Sequence, residues 1–156
     1  MRLPPFQKLI DAHGQDVHRL LIALVGRTDA EDCYQETWLA ALRAYPRLRD
    51  ATNLRSWVLT IAHHKAIDQL RGRRRVPALV GELPDRAGDP GPPSPPDEAL
   101  WAQVRELPDK QRTALALRYV ADASYAEIAA VMQISQEAAR RNVHEALTRL
   151  RTEYQP

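Results

Sequence analysis

Two arginine-rich stretches carry most of the chemistry legible in this chain. In the first, Arg71, Arg73, Arg74 and Arg75 set four guanidiniums within five residues, shortly after His63, His64 and Lys65. A guanidinium is always charged and offers five donors in a planar fork, so such a cluster fits phosphate oxygens. The plainer alternative is a solvated helix end favoured by the helix dipole, a need that four arginines exceed. In the second stretch, Ser135, Gln136 and Glu137 precede Arg140, Arg141 and His144. On a helix the last five of these share one side, where they can reach base edges and phosphates if the helix lies in a major groove. A third grouping is acidic: Asp32, Gln35 and Glu36 fall at i, i+3 and i+4, on one helix face that suits a basic partner. Solvation and the dipole explain the same face without a partner.

Other chemistries are not written into the chain. There is no glycine-rich phosphate loop, paired-histidine zinc motif or nucleophile–base set, so neither an enzyme nor a cofactor is expected. His63 and His64 are adjacent and would diverge on a helix, so no metal site is expected there. The single cysteine, Cys33, excludes an internal disulfide and a thiolate-rich zinc site. The longest apolar run, Leu20 to Val25, is far short of the ~20 residues that span a bilayer. Met1 to Pro5 carries no apolar signal-peptide core. A soluble, cytoplasmic protein with no membrane partner is the expectation.

The 156 residues are 44% apolar and 27% charged, with a net charge of +2. That net hides a division: residues 1–76 carry +5, residues 77–96 carry −2 and residues 97–156 carry −1. The middle segment holds seven of the twelve prolines and three of the six glycines, which no regular element survives. A flexible linker over 77–96 therefore divides two units, 1–76 and 97–156. Both lack alternating β-branched runs and are rich in Ala, Leu, Arg, Glu and Gln, so an all-α fold of two small helical domains is expected.

In the first unit the apolar stripe Leu9, Ile10, His13, Val17, Leu20, Leu21 and Leu24 marks a helix from Phe6 to Val25. A second runs from about Asp29 to Tyr45, before Pro46. A third runs from Asn53, a good N-cap, to Gly72, a natural stop. The second unit reads as helices over Asp97–Glu106, Asp109–Val120, Tyr125–Met132 and Gln136–Tyr154. The last two form a helix-turn-helix. Ser124 and Glu127 make a capping box, Ile128, Ala129 and Met132 face inward, Ile134 plugs the turn and Ser135 caps the longer helix. Ala139, Val143, Ala146, Leu147 and Leu150 form the buried stripe of that helix. The turn lacks the usual glycine, so Gln133 must adopt a positive φ or the turn must differ. An ordinary amphipathic hairpin is the competing reading.

Taken together, these segments resemble a bacterial extracytoplasmic-function (ECF) RNA polymerase sigma factor of the sigma-70 class. DAEDCYQETWLAALRAY and NLRSWVLTIAHHKAIDQLRGRRR are similar to parts of that family's domain 2. The stretch from LPDKQRTALALRYV through the helix-turn-helix to LTRLR is similar to its domain 4. The resemblance implies core RNA polymerase and promoter DNA as partners, with Asp32, Gln35 and Glu36 docking on polymerase. It implies that the loop from Pro46 and the following helix hold the melted −10 strand, through Asn53, Arg55, His63, His64, Lys65, Arg71, Arg73, Arg74 and Arg75. It further implies −35 duplex recognition by Ser135, Gln136, Glu137, Arg140, Arg141 and His144. His64 stands where many relatives have Asn, so the −10 preference is expected to differ if it touches a base; a surface pair without a role is equally open. Glu145 and Leu147 stand where basic residues are commoner, which weakens or narrows −35 binding. Trp38, Trp57 and Cys33 are expected in the packing. A stand-alone helix-turn-helix regulator is the alternative function, and sequestration of both units by an anti-sigma factor is compatible with the main one.

Overall fold

The computed structural model describes residues 3–75 and 97–153. Seven α-helices account for most of them, and no strand occurs among the described residues. The expected linker, 77–96, lies outside them.

Helix α1, Phe6–Val25, buries Leu9, Val17, Leu20, Leu21 and Leu24, the stripe its 3–4 spacing dictates. It ends where Gly26 takes φ 88° and ψ 163°, a conformation that side chains disfavour. The same residue starts α2, Arg27–Ala44, two residues earlier than the acidic cluster suggests. Gly14 lets α2 approach: a Cβ there would lie 3.0 Å from the Tyr34 hydroxyl. Pro46 turns the chain into a short 3₁₀ segment, Tyr45–Arg47. Phe6 meets both Trp38 and Tyr45 edge-on, and the Tyr45 hydroxyl donates to the Pro4 carbonyl.

Asn53 caps α3, Leu54–Arg75, accepting from the Ser56 amide at 3.1 Å. The helix runs through Gly72 rather than stopping there. Helices α1, α2 and α3 pack against one another. Trp38 and Cys33 are buried, and burial pushes the Cys33 thiol up to about 11, which leaves it protonated and inert at neutral pH.

The remaining helices are α4, Asp97–Arg105; α5, Asp109–Tyr119; α6, Tyr125–Met132; and α7, Gln136–Glu153. Helices α5, α6 and α7 pack together, whereas α4 lies on α1. Helices α3 and α6 also touch, as do α1 and α5. The buried apolar residues of both groups thus form one contiguous set, from Leu9 to Ala146.

Candidate nucleic-acid interface

The helix-turn-helix is built as its residues require. The Ser124 hydroxyl accepts from the Glu127 amide at 3.1 Å while the Glu127 carboxylate accepts from the Ser124 amide at 3.2 Å. Gln133 takes φ 57° and ψ 49°, the left-handed geometry that ends α6 without a glycine. The Ser135 hydroxyl caps α7 by accepting from the Ala138 amide at 3.0 Å. Ala139, Val143 and Ala146 are buried, with Leu147 and Leu150 packed at their edge. On α6 Ile128 is buried and Val131 joins it, while Ala129 and Met132 are only half-buried.

This packing turns one side of α7 outward. Gln136, Glu137, Arg140, Arg141 and His144 are all exposed, with Ser135 at their head. Arg140 is not loose: its guanidinium carbon lies 5.2 Å from the centre of the Tyr125 ring, which Arg118 also approaches at 4.8 Å. Glu145 accepts from Gln111 at 3.2 Å, tying α7 to α5.

The basic residues of α3 are disposed differently. Arg55 is held 2.6 Å from the Glu127 carboxylate of α6 and 3.5 Å from Asp16 of α1. It also donates to the Ala121 carbonyl. Its side chain is 22% exposed, against 24% for Glu127. His63 faces α5, and burial, helped by neighbouring His64, pushes its pKa down to about 4 against the opposing pull of Asp109. Its Nδ1 is buried without a hydrogen-bond partner among the described residues. His64 and Arg71 are exposed, and Lys65 is half-buried. A cleft of about 330 Å³ lies between α3 and the second group of helices, with His63, His64, Asp68, Arg71, Asp109 and Lys110 on its walls. Arg73, Arg74 and Arg75 continue the helix; their side chains lie outside the described part.

Two features escaped the sequence reading. Asp32, Gln35 and Glu36 are exposed on α2 as expected, but Leu39 and Leu42, 52% and 51% exposed, extend the same face. Beside it, Arg43, Arg47 and Arg49 surround a hollow of about 530 Å³ floored by Trp57 and Leu48. Trp57 is thus both packed and partly open, unlike Trp38. The signal for the first was the i+7 and i+10 spacing of two leucines; the second needs the Pro46 turn to gather its arginines.

Comparison with known proteins decides the family. The family models for Sigma-70 region 2 and Sigma-70 region 4 match residues 9–76 and 104–152. The ECF RNA polymerase sigma factor SigC of Mycobacterium tuberculosis is 34% identical over 129 residues, covering 80% of this chain and 70% of that protein. The chain is an ECF sigma factor. SigM of Bacillus subtilis, of the same family, is 30% identical over 155 residues, 94% of this chain and 93% of the relative. CarQ of Myxococcus xanthus, an RNA polymerase sigma factor, is 30% identical over 151 residues, 94% and 87% of the two chains. The fold is also that of CnrH, solved with the cytosolic domain of CnrY, with TM-score 0.72 at 22% identity over 94% of this chain and 85% of CnrH. RpoE of Bartonella quintana, solved with the anti-sigma factor NepR, gives TM-score 0.70 at 23% identity over 94% and 92%. As an ECF sigma factor, the protein binds core RNA polymerase and directs initiation at promoters. Among the described residues, no helix is long and apolar enough to cross a membrane.

Proposed function

We propose that the sigma factor divides its work between two domains, residues 1–76 and 97–156, joined by the 77–96 linker. The α2 face docks on polymerase, with Asp32, Gln35 and Glu36 supplying charge and Leu39 and Leu42 supplying apolar contact. Asn53, Arg55, His63, His64, Lys65, Arg71, Arg73, Arg74 and Arg75 engage the −10 region, which opens as single strand. Ser135, Gln136, Glu137, Arg140, Arg141 and His144 engage the −35 duplex. Two tethered modules raise each other's effective concentration on the promoter. Polymerase supplies the chemistry of RNA synthesis, and this chain, itself no enzyme, supplies promoter choice in the cytoplasm.

The observation that supports this reading best is the outward face of α7, five polar side chains presented behind a correctly capped helix-turn-helix. Arg55 adds a condition. Its guanidinium is held by Glu127, Asp16 and Ala121, so in this scheme it meets DNA only after α3 and α6 part. An anti-sigma factor fits as a further partner, in keeping with the RpoE–NepR complex; it would cover the same acidic and apolar α2 face.

Run-off transcription on genomic fragments with bacterial core polymerase, with and without the protein, tests the reading. Transcripts starting at defined sites are expected, and their upstream sequences yield both promoter elements. Tight duplex binding by the protein alone, with no transcripts, would instead mark a stand-alone regulator.

A further inference from the structure

The Tyr125 ring has a fixed seat. It is the first residue of α6, directly after the Ser124 cap, and the reciprocal Ser124–Glu127 bonds lock the backbone on which it stands. The ring is half-buried and packs on the core. Arg118, on one of its approaches, is anchored in turn by donating to the Ala123 carbonyl at 3.1 Å. Arg140, at 5.2 Å from the ring centre, has no such anchor among the described residues and is exposed. A long arginine on a solvated helix face has many rotamers to lose on binding, and holding it in one of them beforehand lowers that cost. An aromatic face does this without using up hydrogen-bond donors, because it attracts the charge and leaves the N–H groups for other acceptors.

We propose that Tyr125 is a positioning residue for −35 recognition: its ring face holds the Arg140 guanidinium in the place from which it reads one base pair. The inference rests on the reading of Arg140 as a −35 contact, and the two can fail separately. Tyr125 does not touch DNA in this scheme. Its effect passes entirely through Arg140, so it sharpens the preference at one base pair and leaves the others alone.

The test uses holoenzyme reconstituted from core polymerase and the full chain, transcribing from a promoter found by run-off, with each −35 base pair varied in turn. Arg140→Ala is expected to erase the preference at one base pair, a loss of about 5- to 150-fold for a bidentate contact. Tyr125→Phe keeps the ring and is expected to keep the preference. Replacing residue 125 by successively fluorinated phenylalanines drains the ring face of negative charge at nearly constant volume. The preference at that base pair should then fall stepwise by about two- to fivefold, the range of an exposed cation–π contact; any stability lost from the Arg118 contact on the same ring is read separately by thermal melting. Tyr125→Met combined with Arg140→Ala should be no worse there than Arg140→Ala alone. A preference indifferent to fluorination overturns the positioning role, as does a loss spread evenly over all base pairs. If Arg140→Ala leaves every −35 preference intact, the −35 reading of Arg140 falls and the positioning role falls with it.

Discussion

Arg55 on α3 and Arg140 on α7 are both proposed here to meet DNA, yet their surroundings differ. Arg55 hydrogen-bonds Glu127 and the Ala121 carbonyl, 72 and 66 residues away, and pairs with Asp16 at 3.5 Å. Arg140 is exposed, and its guanidinium lies over the Tyr125 ring. A partly buried ion pair must be given up before its arginine can bind elsewhere, at the cost of uncovering a carboxylate. A cation on an aromatic face gives up little. In the proposed scheme the α7 face can meet a duplex in the form described, whereas the α3 face can do so only once the two groups of helices separate. His63, neutral and turned into the same interface, repeats the contrast with exposed His144.

The comparison can be broken in several places, most forcefully where neither arginine is involved. Reversing the charge of Asp32 and Glu36 together should cost several kcal/mol in polymerase affinity, since like charges would then meet. Helix content should stay unchanged, because both residues are exposed. Binding of the variant to core polymerase, measured by competition, is the check; unaltered affinity would remove the α2 face from the docking scheme.

Acid comes next. His63 titrates near 4 in the folded protein against an ordinary value of 6.5, so the unfolded chain binds its proton first as pH falls. The associated stability is present above pH 6.5 and is lost as pH falls towards 4, by up to about 3 kcal/mol. His13, also pushed down by burial and by Arg55, adds in the same direction. Asp109, facing His63 across the cleft, opposes the loss, while His64 reinforces it. Thermal melting between pH 7 and 4 should reveal the dependence, and His63→Leu should remove much of it.

Arg140→Ala should lower −35 discrimination by about 1–3 kcal/mol at a base contact. A uniform loss over all sequences would make Arg140 a phosphate contact instead. The smallest effect is expected at the interface itself. Arg55→Ala should destabilise the free protein by about 1–2 kcal/mol, below the figure for a fully buried pair because both partners are partly solvated. It should also expand the protein in small-angle scattering. If promoter opening by the holoenzyme falls as well, Arg55 serves both the interface and the −10 strand. Expansion without that fall would leave it an interface residue only.

Much of this arrangement was readable in advance because it depends on neighbours in sequence. The α1 boundaries, the capping box at Ser124 and the outward face of α7 follow from spacing and from local backbone chemistry, and of the two turns left open at Gln133 the chain takes the one with positive φ. Where local signals compete, the reading slipped. Gly72 resembles a stop, but α3 continues through it; glycine permits a helix end without compelling one. The acidic residues of α2 suggest a start at Asp29, whereas Gly26 sets the joint with α1 and the helix begins at Arg27. Val131 lies outside the Ile128–Ala129–Met132 stripe that spacing picks out, and tertiary packing buries it.

The amino-acid sequence by itself determined the helices, their caps and the side chains each presents, since those depend on contacts within about four residues. It also carried the resemblance from which the family was expected. Only the tertiary structure decided which presented side chains are free. Arg55 and Glu127 lie 72 residues apart, and no periodicity relates them. The Tyr125 ring beneath Arg140 is likewise brought there by the packing of α6 on α7 and not by any helix period. Charges and rings at such separations meet only where packing of the buried apolar faces brings their helices together, and that packing follows from the whole core rather than from any one segment.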